Sequence, residues 1–218
     1  MTIAPRLTVD LGAIAANWRA LDAASGPGVE TAAVVKADAY GLGAARVAPV
    51  LAGAGARSFF VALPAEGVRL RQALGEGPAI HILGGYDPGD REAYETARLR
   101  PVLNSAGQLS AWMEGPAGPA AVQLDSGMNR LGMEADELAC VLPLPPCIDL
   151  VMSHLACADD ASHPQNAAQR DEFRRLAEPL GLPMSLAATG GNLMGTDFHF
   201  AMTRPGIGLY GGLPFADA

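Results

Sequence analysis

The sequence predicts an α/β fold, specifically a (β/α)8 barrel of the TIM type, and three observations lead there. Short apolar runs alternate with longer stretches of helical period from about residue 30 onward. Eight such runs fit between residues 31 and 204, nearly all followed by a helical pattern, which suits a closed barrel better than an open sheet. A chain of 218 residues with 50% hydrophobic content can also bury one sizeable core.

Taken in order, residues 6–9 form a short extended segment and Asp10 is a good N-cap for a helix over 11–24. That helix carries Leu11, Ile14, Ala15, Trp18 and Leu21 at spacings of three and four, an apolar stripe. Ser25-Gly-Pro-Gly28 breaks it. The expected strands are 31–36, 58–62, 79–83, 100–103, 120–125, 147–153, 184–188 and 200–204. Helical patterns fill 43–55, 64–74, 89–98, 105–113, 134–141 and 165–179. The link 189–199 is a glycine-rich loop with at most a short helix, and the proline-rich Leu142 to Cys147 is a connector, not a domain linker. No fixed-period repeat suggests a solenoid. Residues 11–218 therefore form the barrel, preceded by the extended segment 1–10.

Composition narrows the partners. A net charge of −8 argues against nucleic acid and anionic membranes but not against a small anionic ligand held by local cations. Cys140, Cys147 and Cys157 have neither a zinc spacing nor a disulfide framework, so no metal is expected and the thiols read as inert. The N-terminus lacks the apolar core of a signal peptide, and no stretch reaches the length of a membrane span; a cytoplasmic protein is expected.

In a closed barrel the C-terminal strand ends carry the chemistry. Here they offer Lys36, Asp38 and Tyr40 after the first strand, and Asp125-Ser-Gly-Met-Asn-Arg-Leu-Gly132 after the fifth. Ser153-His154 follows the sixth, Thr189-Gly-Gly-Asn192 the seventh and Arg204-Pro-Gly-Ile-Gly-Leu-Tyr210 the eighth. Lys36 is the only lysine among the fifteen lysines and arginines of the chain. A lone lysine can be a leftover of composition, but only lysine among the cations can lose its proton or form a Schiff base. Gly190, Gly191, Gly206 and Gly208 allow close backbone approach to an anion at the usual barrel phosphate position, although each could simply make a tight turn. A phosphate site beside a Schiff-base-competent lysine describes pyridoxal phosphate better than a sugar phosphate. His154 could be a satisfied core residue or lie against such a cofactor; His81, His163 and His199 read as structural or exposed. Arg130, in a turn rather than on a helix face, suits bidentate capture of a carboxylate.

At these residues the sequence resembles the alanine racemase family. Val34-Val-Lys-Ala-Asp-Ala-Tyr-Gly-Leu-Gly43 is similar to that family's cofactor-lysine signature. Leu124 to Met133, Ser153 to Asp159 and Arg204 to Gly211 match further family segments in the same order, so the resemblance covers essentially the whole chain. It implies that Lys36 holds pyridoxal phosphate as a Schiff base and then exchanges the Cα proton of alanine on one face. Tyr40, Thr189, Gly206 and Ile207 would contact the phosphate, and His154 would sit beside the ring. Arg204 would face the pyridine nitrogen, and Arg130 would help hold the catalytic and carboxylate groups. The resemblance also implies D-alanine production for cell-wall precursors and a homodimer in the complete protein.

Some positions depart from the family's pattern. Its second base is a tyrosine from a mostly β C-terminal domain, supplied across the dimer, whereas this chain stops at Ala218; the segment 1–10 is expected to pack on that domain. The last tyrosine of the phosphate shell lies there too. Gln123 stands where many members have a carbamylated lysine; it can accept a hydrogen bond but brings no charge. Ala188-Thr189 replaces an Asn-Ser pair, keeping the hydroxyl and losing an amide. Two other readings stay open: a non-catalytic single-barrel pyridoxal-phosphate binding or carrier protein, and a phosphate-binding barrel enzyme without pyridoxal.

Overall fold

The computed structural model describes residues 6–215. The first half of the segment 1–10 lies outside the described residues, as do the last three residues. The eight expected strands are present: β1 (Glu30–Thr31 and Ala33–Val34), β2 (Ser58–Val61), β3 (Ala79–Ile82), β4 (Arg100–Leu103), β5 (Ala120–Gln123), β6 (Ile148–Met152), β7 (Met184–Ser185) and β8 (Met202–Thr203). All neighbours pair in parallel. The lower half of β1 pairs with β8 (Thr31 beside Thr203) and its upper half with β2 (Val34 beside Phe60), so the first strand closes the barrel.

The strands are buried on both faces, with successive side chains pointing alternately to the helices and into the barrel. In β2, Phe59 and Val61 pack outward with Ile80, Ile82, Leu70 and Leu103 against the helices. Phe60 points inward with Ala32, Val102, Ala121, Leu150 and Met202. Each fully buried phenylalanine contributes roughly 1.5–3 kcal/mol. The outer ring consists of α1 (Leu11–Ser25), α2 (Ala44–Ala54), α3 (Pro64–Leu74), α4 (Arg91–Ala97), α5 (Ala106–Met113), α6 (Ala135–Cys140), α7 (Pro164–Ala177) and α8 (Thr189–Leu193). Asp10 caps α1 by accepting from the Ala13 N–H at 3.0 Å, as its side chain promised. Ile14, Trp18 and Leu21 then bury one face of α1 against α2 and the turn Ile207–Tyr210, over the seam between β8 and β1.

The first strand is shorter than expected. Its ladder ends at Val34, and Lys36 opens a left-handed turn in which Ala37, Asp38, Ala39 and Tyr40 have φ of 51°, 53°, 56° and 55°. Such a conformation costs roughly 1–2 kcal/mol for each L-residue. Main-chain bonds from Ala39 to Val35 O (2.9 Å), Gly41 to Ala37 O (2.8 Å) and Gly43 to Asp38 O (2.9 Å) hold it. The Asp38 carboxylate accepts from the Ala44 N–H at 2.7 Å and starts α2. β7 and β8 are likewise trimmed, because the chain beyond them leaves the ladder to build the rim.

His81 follows the inward alternation of β3 and is 3% exposed, stacked on Phe60 with ring centroids 4.6 Å apart. Its Nδ1 has no partner among the described residues. Burial, with the charges of Arg100 and Arg204 adding to it, lowers its pKa to about 3. The folded ring therefore refuses a proton that the unfolded ring accepts below about 6.5, so this contribution to stability is complete above that pH and is lost as pH falls toward 3. We expect the stability difference between His81→Phe and the natural protein to change by roughly 1.4 kcal/mol per pH unit between pH 6 and 4, in favour of the variant. Urea unfolding at several pH values measures it; parallel curves would contradict the burial argument.

Candidate active site

A cavity of about 530 Å³ opens at the C-terminal ends of the strands. Lys36, Tyr40, Arg130, His154, Thr189, Arg204, Gly206 and Ile207, named above from the sequence, all line it. Not every rim residue does. Asp38 turns away to cap α2, and Asn192 turns inward, donating to Leu21 O (3.2 Å), Ser25 Oγ (2.6 Å) and Thr203 Oγ1 (3.2 Å).

Arg204 continues from β8 into the barrel mouth and is 4% exposed. Its guanidinium donates to Ser153 O (2.6 Å), Leu186 O (3.3 Å) and Ser185 Oγ, linking the ends of β6, β7 and β8. Burial draws its pKa down to about 9, which leaves the group charged at neutral pH. His154 lies two residues beyond β6. Its pKa falls to about 3 through burial and then the positive charges of Arg204, Arg130 and Lys36, so the ring is neutral. Those same causes place three cations around one imidazole. In a chain of net charge −8, this cavity is a local reversal of sign.

The loops after β7 and β8 meet at Thr189. Its hydroxyl oxygen accepts from the Gly206 N–H (3.0 Å) and the Gly208 N–H (3.2 Å), leaving its own proton to donate. Gly206 and Gly208 are needed for that approach: a Cβ on Gly206 would meet the Tyr40 hydroxyl, and one on Gly208 would come within 2.6 Å of Thr189 Cγ2. The Tyr40 ring lies 4.9 Å from that of Tyr210, whose hydroxyl donates to Val34 O at 3.1 Å. Burial raises the pKa of Tyr40, which keeps its hydroxyl protonated as a donor.

Arg130 sits exposed on a loop held by its own aspartate. Asp125 Oδ1 accepts from the N–H groups of Gly127 (2.8 Å), Met128 (2.9 Å) and Asn129 (3.1 Å). Gln123, which can accept a bond, here donates from Nε2 to Leu131 O at 3.1 Å, because the carbonyl after Arg130 faces it. Sequence reasoning missed the apolar wall of Phe60, Leu83 and Met152, whose residue types look like ordinary core. It also missed Glu66, whose carboxylate accepts from the Ala62 (2.8 Å) and Leu63 (3.1 Å) N–H groups and faces the Asp38 N–H at 3.4 Å.

Comparison with known proteins gives the family and the fold. The family model described as "Alanine racemase, N-terminal domain" matches residues 9–214. The alanine racemase of Dinoroseobacter shibae is 60% identical over 215 residues, which cover 97% of this chain and 62% of that protein. That of Cereibacter sphaeroides is 54% identical with the same coverage. The chain thus spans about 62% of the length of these curated relatives. Among solved structures, alanine racemase from Bartonella henselae with covalently bound pyridoxal phosphate superposes with a TM-score of 0.88 at 39% identity, covering 94% of this chain and 60% of that one. Biosynthetic alanine racemase from Pseudomonas aeruginosa gives 0.87 at 35% identity, covering 96% and 60%.

Replacing Thr189 by valine keeps the shape and strips two N–H groups of their acceptor. The cost should be about 2 kcal/mol in urea unfolding, whereas Thr189→Ser should be within about 0.5 kcal/mol of the natural protein. Equal destabilisation by both would show that the methyl group, not the hydroxyl, holds the two loops.

Proposed function

The chain belongs to the alanine racemase family, and from that premise we propose that it is the pyridoxal-phosphate-binding barrel of an enzyme interconverting L- and D-alanine. The observation that carries the reading is the placement of its only lysine on a cation-lined cavity beside a glycine-built anion cradle. The residues fit the cofactor: the Gly206 position has no room for a Cβ, and the Thr189 hydroxyl keeps a proton to donate. Tyr40, Thr189, Gly206 and Ile207 would hold the phosphate, Lys36 the aldehyde carbon, and Arg204 the ring nitrogen end. When bound, the pyridoxal ring withdraws electrons from Cα and makes its proton removable.

The chain's own groups supply the rest. Arg204 stays a hydrogen-bonded cation that does not give up its proton, so beside a bound cofactor it would leave the ring nitrogen unprotonated and limit electron withdrawal. Weaker withdrawal would favour return of the proton to Cα over side reactions. His154, neutral in a cavity that also holds three basic side chains, offers a flat face and nitrogen lone pair without adding a fourth positive charge. Arg130, exposed at the cavity wall, would bind the substrate carboxylate in fork geometry. The Lys36 amine would carry the Cα proton on one face. The expected homodimer of the complete protein belongs to this same proposal.

Supplied with pyridoxal phosphate in heavy water, the chain should exchange the α-proton of one alanine enantiomer at least about a hundredfold faster than pyridoxal phosphate alone, and Lys36→Ala should lose that excess. Cofactor binding without exchange would favour the non-catalytic carrier, and exchange undiminished in Lys36→Ala would sink the racemase reading.

A further inference from the structure

The β6–α7 segment carries His154 out of the sheet after a last main-chain bond to β7, from the Ser153 N–H to Ser185 O at 3.0 Å. Buried N–H and C=O groups in such a segment need partners from elsewhere. They find them in α7. Gln169, 0% exposed, accepts from the Ala156 N–H with Oε1 at 2.8 Å and donates from Nε2 to His154 O at 3.0 Å. One side-chain amide thus pairs with the main chain on both sides of Leu155, much as a strand would. The carbonyl just before His154, that of Ser153, is held from the opposite direction by Arg204 at 2.6 Å. His154 is therefore bracketed, with the arginine on one peptide group and the glutamine on the next.

The same helix face reaches the loop that carries Arg130. Gln165, one turn earlier, donates to Gly127 O at 3.3 Å. A Cβ on Gly127 would come within 3.1 Å of Gln165 Nε2 and 3.6 Å of Gln169 Cγ, so that loop lies directly on the two glutamines. Asn166 donates to Asp160 O at 2.8 Å, further along the His154 segment. Three amides on the first half of α7 thus hold both rim segments that present side chains to the substrate side of the cavity.

We infer that Gln169 is a positioning residue, fixing the His154 ring and, with Gln165, the height of the Arg130 loop in the active site. This deepens the proposed function and rests on it, yet it concerns contacts among the chain's own residues. A purely structural glutamine would affect stability alone; a positioning glutamine moves His154 at equal stability.

The test compares Gln169→Leu, Gln169→Glu and Phe173→Leu, the last a core change on the same helix, at a ring packed edge-on against Phe200, that removes no hydrogen bond to either rim segment. Two readouts are taken on the full chain: the His154 imidazole resonances by NMR with no cofactor added, and the dissociation constant and visible circular dichroism of bound pyridoxal phosphate. In Gln169→Leu we expect shifted or broadened His154 resonances, cofactor binding weakened about tenfold, and an altered dichroism band. Gln169→Glu keeps the acceptor for Ala156 and loses the donor to His154, so its effects should have the same direction; it carries the test if the leucine variant does not fold. Phe173→Leu should leave both readouts as in the natural protein. Unchanged His154 resonances in a folded Gln169 variant, or equal changes in Phe173→Leu, would overturn the inference. If the natural chain bound no cofactor, the functional proposal would fail while the His154 resonances still decided the role of Gln169.

Discussion

Everything at the mouth of this barrel depends on a main-chain constraint, the left-handed turn from Ala37 to Tyr40. Four consecutive L-residues with positive φ are costly, and the turn persists because its surroundings over-determine it. Its own hydrogen bonds, the Asp38 cap on α2 and full burial of Ala39 all fix the same geometry. The consequence is chemical. Lys36 and Tyr40, four residues apart, both reach the cavity, while the intervening aspartate faces away from it. A right-handed continuation from the strand would not close on Gly41 and Gly43 in this way.

The second organising feature is electrostatic. Arg204 is buried with three oxygen acceptors and, among the described residues, no carboxylate partner, so its charge is solvated by main-chain carbonyls and a serine. Burial, with the charges of Arg204, Arg130 and Lys36 adding to it, keeps His154 neutral. His81, stacked on Phe60 in the barrel interior, is kept neutral chiefly by burial, with the charges of Arg100 and Arg204 adding to it. Binding of a phosphate and a carboxylate would give these cations further anionic partners and stabilise the folded chain.

Much of this was legible in the sequence, for identifiable reasons. Strand spacing revealed the barrel, because both faces of each strand are covered and the apolar runs are continuous, as in Ser58–Val61. The eight site residues named from the sequence share one cavity, because a parallel barrel puts all its strand ends on one rim. The left-handed turn was hidden, since Ala37-Asp-Ala-Tyr40 has ordinary helix-compatible residues and only Gly41 and Gly43 signal unusual dihedrals. Gln165 and Gln169 were hidden as well. Amides spaced four apart on a helix read as a solvated face, and only the fold shows that Gln169 is enclosed. The direction of the Gln123 bond depended on which group Leu131 presents, a fact of loop geometry rather than of residue type.

The central claim, that Lys36 anchors the cofactor, has a direct test because the chain contains no other lysine. The protein is incubated with pyridoxal phosphate, reduced with borohydride, digested and mapped by mass spectrometry. One phosphopyridoxyl group per chain, on the peptide containing Lys36, is the predicted result. An unmodified Lys36, or an adduct confined to the N-terminal amine, would contradict it.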